Sequence, residues 1–92
     1  MSGEPIRHSL TITNPQGLHM RPLAALVEAA NRFQSTISVH KDGCDPANGK
    51  SLMSLLGLAA EYGTVLIFEV TGPDAADALK AVLEAVEKTK EE

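Results

Sequence analysis

Residues 8–33 read HSLTITNPQGLHMRPLAALVEAANRF, and a change of period inside this stretch decides the fold. Over residues 8–13, Leu10 and Ile12 alternate with Ser9, Thr11 and Thr13, the two-residue repeat of a strand with one buried face. Asn14-Pro15-Gln16-Gly17 interrupts it with turn formers, Pro removing a donor and Gly permitting positive φ. Leu23, Val27 and Ala30 then recur at helical spacing, widened by Ala24, Leu26 and Ala29, which predicts a first helix over residues 20–33. Pro22 suits the first turn, where N–H groups lack intrahelical partners. The stretch is therefore a strand, a turn and a helix, with His19 at the helix mouth.

Downstream, Ile37 and Val39 alternate with Ser38 and His40 in a second strand over residues 36–41, closed by Asp42-Gly43. A short third strand is expected near Pro46, which cannot donate to a ladder and belongs on an edge or in a bulge. After Asn48-Gly49, the spacing of Leu52, Leu55, Leu56 and Ala59 predicts a short second helix over residues 51–60. Leu66, Phe68 and Val70 mark a fourth strand over residues 65–71. Asp74 stands as the N-cap of a third helix striped by Ala75, Ala78, Leu79, Val82, Leu83 and Val86, with residues 87–92 fraying. The order βαββαβα, each strand with one apolar face, predicts an α+β two-layer open-faced sandwich: a four-stranded antiparallel sheet with three helices on one face.

The 92 residues suffice for one domain, and 43% apolar with 22% charged residues describes an ordinary soluble globular chain. A net charge of −4 argues against nucleic-acid binding, which needs a basic surface, and 3% aromatic residues leave little for base stacking. Cys44, the single cysteine, can form no intramolecular disulfide and supplies no conventional metal-ligand set, which suits a reducing cytoplasm. No apolar run approaches the ~20 residues of a membrane span, and the start carries no signal-peptide pattern. The expectation is a cytoplasmic chain with no cofactor, no metal and no membrane insertion.

His19 and Arg21 carry the chemistry. A neutral imidazole is a nucleophile near neutral pH, and a helix N-terminus offers free N–H groups and partial positive charge to a phosphoryl group. Arg21 adds a planar, permanently charged fork for phosphate oxygens. Phosphoryl transfer has a loose transition state and asks chiefly for alignment and cationic donors, so a small domain can serve as half a site. A histidine at a helix start is often a mere cap or a solvated side chain, and Arg21 two residues on makes the functional reading the stronger one only together with the wider motif around it. His8 and His40 lack such a context and are expected on strand surfaces.

The run from Thr11 to Pro22, TITNPQGLHMRP, resembles the active-site signature of HPr, the histidine phosphocarrier family of the sugar phosphotransferase system. Residues 48–54, NGKSLMS, resemble its regulatory-serine segment, and the likeness runs from about residue 6 to 88 of a single domain spanning 1–92. The resemblance implies that His19 is phosphorylated on Nδ1 by enzyme I, that Arg21 assists, and that permease A domains receive the group. The protein is then a carrier with a phosphohistidine intermediate, not a stand-alone catalyst. It also implies that Ser51 is the position a kinase modifies, and that Met20, Ala24, Leu52, Met53 and Leu56 form the apolar docking surface of a monomer. Met20 replaces the smaller residue of many relatives, and residues 44–47 are one residue longer than the commonest pattern.

Two other readings compete. A regulatory module of the same fold would work through Ser51, engaging HPr kinase/phosphorylase and a transcriptional regulator; it needs neither His19 nor Arg21, and both are present. An RNA-binding α+β domain is disfavoured by charge and aromatic content. Ser51 is also an ordinary N-cap whatever else it does.

Overall fold

The computed structural model describes residues 4–89. Its elements are β1 (Ile6–Thr11), α1 (Met20–Ala30), β2 (Thr36–Lys41), β3 (Ala47–Asn48), α2 (Leu52–Leu56), β4 (Val65–Thr71) and α3 (Ala75–Lys88). The strands form one antiparallel sheet in the order β1-β4-β2-β3. This is the α+β open-faced sandwich expected from the βαββαβα order.

β4 is central because it is the most apolar strand, and its neighbours complete its inner face. Phe68 lies opposite Val39 and His8, Val70 opposite Ile37 and Ile6, and Leu66 opposite Leu10 and Lys41. On this face Leu66, Phe68 and Val70 are buried beneath Leu23, Leu26 and Ala30 of α1 and Ala78, Val82 and Val86 of α3. Among the described residues, no helix is long and apolar enough to cross a membrane.

Element ends depart from the periodicity, each for a hydrogen-bonding reason. β1 spans Ile6–Thr11, not residues 8–13; Ile12 is buried, but its N–H bonds Thr64 O and its carbonyl accepts from Gly63 N, in the turn beyond the ladder. α1 stops at Ala30 because Arg32 and Phe33 donate three residues back, while the Asn31 amide donates to Val27 O and Lys50 O. α2 ends at Leu56, short of residue 60, as Leu58 and Ala59 donate three residues back and Ala59 turns to φ +50. α3 continues to Lys88, past the expected fraying at 87, while residues 90–92 lie outside the described residues.

The third strand forms with two residues on the sheet edge, Ala47 opposite Val39 and Asn48 opposite Ser38, leaving Pro46 outside the ladder. Gly49 follows because the chain passes close over β2: its N–H bonds Ile37 O at 2.7 Å, and a Cβ there would lie 2.6 Å from Ile37 Cγ2.

Asp74 holds the N-cap position of α3 but makes no side-chain cap bond. Its carboxylate instead accepts from Ser35 Oγ, from Ser35 N at 2.9 Å and from Gln34 N at 3.0 Å, tying the start of α3 to the loop leaving α1. These bonds, the Ser35 hydroxyl first, hold its carboxyl below the usual carboxylate range. A depressed folded pKa means the contribution is complete above the unfolded pKa and is lost as pH falls through the folded one. Asp74→Asn is therefore expected to be less stable than wild type at neutral pH, with the gap closing as pH drops below the carboxylate range. Urea midpoints of both proteins across that range check this; a constant gap would show that the charge plays no part.

Candidate functional site

The turn before α1 is built by backbone contacts. Gly17 sits at φ +73 and its N–H bonds Asn14 O at 2.8 Å, closing the reversal that follows β1. A Cβ on Gly17 would fall 2.7 Å from Ala60 O, so this position tolerates only glycine without movement of the facing chain. Leu18 is buried, and its N–H donates to that same Ala60 carbonyl at 2.8 Å. The residue before His19 is thus pinned by its side chain in the core and by its amide on the segment after α2.

His19 is the N-cap of α1 in extended backbone (φ −85, ψ −166), and its side chain makes no capping bond. Its carbonyl accepts from Leu23 N at 3.2 Å, the first bond of the helix. The N–H groups of Met20 and Arg21 therefore precede the intrahelical pattern, as the first turn of any α-helix requires. Pro22 is buried and forfeits no helical bond. Imidazole, half-exposed, and guanidinium, exposed, share one turn whose backbone favours anions.

Ser51 is the N-cap of α2, its Oγ accepting from Ser54 N at 3.2 Å, as the sequence led us to expect. Ser54 Oγ in turn accepts from Asn48 N at 3.0 Å, joining the cap to β3. Met20 is 54% exposed, Met53 78% and Leu56 38%. Ala24 is exposed as well, whereas Leu52 is half-buried against the core. These five residues lie on α1 and α2, which pack against one another. Sequence reasoning passed over Tyr62, 68% exposed in the turn that meets Gly17; as a lone aromatic in a loop it gave no periodic signal.

His8 and His40 belong to β1 and β2. His40 Nε2 lies 3.4 Å from Glu69 Oε1 without a hydrogen bond, and Arg7 Nε donates to Glu69 Oε2 at 2.8 Å. The Arg7 hydrogen bond, followed by the nearby His40, lowers the Glu69 carboxyl below the ordinary range. Cys44 is exposed in the turn after β2. Among the described residues, no cluster of three or more His, Cys, Asp or Glu side chains could hold a metal ion.

The arrangement is a small open-faced sandwich with a histidine at the mouth of its first helix. Residues 6–88 match the family model described as "PTS HPr component phosphorylation site". The chain is 39% identical over 82 residues to the phosphocarrier protein HPr of Xylella fastidiosa (strain Temecula1), covering 89% of this chain and 91% of that one. It is 40% identical over 72 residues to the HPr-like protein Crh of Halalkalibacterium halodurans, covering 78% and 84%. Its backbone superimposes on a Mycoplasma histidine-containing phosphocarrier protein with a TM-score of 0.87 at 30% identity, covering 92% and 96%. The chain belongs to the HPr family of phosphocarrier proteins of the phosphotransferase system.

Proposed function

We propose that this chain accepts a phosphoryl group from phosphorylated enzyme I on His19 and passes it to a permease A domain, in the cytoplasm. The observation that carries this reading is the placement of His19 as an N-cap whose imidazole is not used for capping. The Nδ1 lone pair of neutral imidazole forms the N–P bond as the bond from phosphorus to the donor's leaving atom breaks. The first-turn N–H groups and Arg21 meet the charge on the equatorial oxygens. Delivery reverses the step, so an exposed site that leaves the phosphoryl group accessible suits a carrier. Incubation with enzyme I and phosphoenolpyruvate, followed by mass measurement, should add one acid-labile phosphoryl group to His19. A chain that gains no mass, or gains it elsewhere, ends the proposal.

Arg21→Ala is expected to slow transfer by about 10–100-fold without preventing it, because the helix N-terminus and the partner's cations still act. Arg21→Lys should recover only part of the rate, lacking the fork. Rapid-quench kinetics check both; rates equal to wild type would show that Arg21 takes no part in the transfer.

A regulatory role for Ser51 is the second reading, favoured by the Crh relative and by the position of Ser51 beside Leu52, Met53 and Leu56. Phosphate at Ser51 places charge where a partner meets apolar surface, so docking weakens while the fold survives. Ser51→Asp is expected to weaken binding to enzyme I by about tenfold. Titration calorimetry on both folded proteins decides; equal affinity leaves Ser51 as a helix cap.

A further inference from the structure

Lys41 ends β2 and belongs to none of the roles above. Its ammonium reaches the chain leaving α2, where Nζ donates to Leu58 O at 2.7 Å and to Ala59 O at 3.4 Å. Both carbonyls lie past Gly57, the C-cap of α2, outside the helical hydrogen-bond pattern, and the ammonium supplies donors to them. Ala59 is the one non-glycine with positive φ among the described residues, at +50. An L-residue holds that conformation only when its surroundings impose it. The very next carbonyl, Ala60 O, takes the Leu18 N–H at 2.8 Å and lies only 2.7 Å from where a Cβ on Gly17 would stand. Lys41, the strained Ala59, Ala60 and Leu18 thus form a continuous line of contacts ending one residue from His19.

We propose that Lys41 is a positioning residue for His19, fixing the turn at residues 58–60 whose carbonyl fixes Leu18. The far side of this turn is already secured, because Gly63 N bonds Ile12 O and Ile12 N bonds Thr64 O. On the α2 side the Lys41 ammonium bridges two successive carbonyls and keeps Ala59 in its left-handed conformation. Without it, Ala59 relaxes, Ala60 O turns away from Leu18, and the imidazole loses its alignment with the donor. This inference rests on the carrier reading proposed above.

The test uses the full chain with Lys41→Met, which keeps the aliphatic stem and removes the ammonium, and Lys41→Arg, which restores a cationic donor. Amide hydrogen exchange should accelerate at Leu18 by about tenfold more than at Val82 in the core of α3, marking local loosening. Transfer from phosphorylated enzyme I should fall about 3–10-fold in kcat with KM little changed, since alignment is lost but the docking surface is intact. Lys41→Arg should recover most of both effects. Lys41→Gln is judged by the same measurements if the methionine variant does not fold. Equal acceleration at Leu18 and Val82, an unchanged kcat, or no recovery with arginine overturns the assignment. A wild-type chain that takes no phosphoryl group overturns the carrier reading itself, while a phosphorylated wild type matched by Lys41→Met overturns the role of Lys41 alone.

Discussion

His19→Ala is expected to abolish phosphoryl acceptance from enzyme I completely while leaving the circular dichroism spectrum and unfolding midpoint close to wild type. The loss is total because no neighbouring side chain can replace the imidazole as the covalent acceptor. Little stability is at stake, since the half-exposed side chain makes no capping bond and α1 is held from below by Leu23, Leu26 and Ala30. The change costs about 0.5 kcal/mol or less, the ordinary range for a surface position. His8→Ala and His40→Ala should accept phosphate at the wild-type rate, because both lie on strands away from the α1 N-cap. Acid-labile phosphate on the His19 variant, or its loss from either of the others, would relocate the site.

Gly17→Ala is expected to damage both stability and transfer, for a reason that lies in the opposite chain. Positive φ at this position, +73, disfavours any L side chain, and the added Cβ meets Ala60 O at 2.7 Å and Glu61 Cα at 2.9 Å. Both obstacles are backbone, so neither swings aside as a side-chain tip would. The left-handed conformation contributes about 1–2 kcal/mol and the overlap about 1–3 kcal/mol, for a total destabilisation of about 2–5 kcal/mol. Relief of the clash separates the Gly17 turn from Ala60 and breaks the Leu18 amide bond, which moves the N-cap. Transfer should therefore fall even in molecules that remain folded. Urea unfolding and single-turnover kinetics on the same preparation measure the two effects. A wild-type midpoint would mean that the turn at residues 60–61 yields freely.

Much of this architecture was legible along the chain because its causes are local. β2 and β4 begin and end where alternation of Ile37 and Val39, and of Leu66, Phe68 and Val70, gives way to turn residues. A half-buried strand imposes its period on the sequence and nothing further away is needed to see it. His19 and Arg21 were visible as a candidate site for the same reason: helix start, imidazole and guanidinium fall within a few consecutive residues. Ser51 as an N-cap is likewise a matter of one residue and the helix beside it.

What the tertiary structure alone decided are the contacts between segments remote in sequence. Asp74 looked like a cap, yet its carboxylate accepts from Gln34 and Ser35 on the loop after α1 and makes no cap bond within its own helix. The ends of α1 and α2 depend on the Asn31 amide reaching Lys50 O and on Ala59 adopting positive φ, neither of which has a periodic signature. The anchoring of the residue before His19, as distinct from the identity of His19, comes from the Leu18 amide on Ala60 O. Propensity and periodicity report which faces of an element are buried; which carbonyl a given amide or ammonium meets is settled only when the packed layers bring separate stretches of backbone within hydrogen-bond reach.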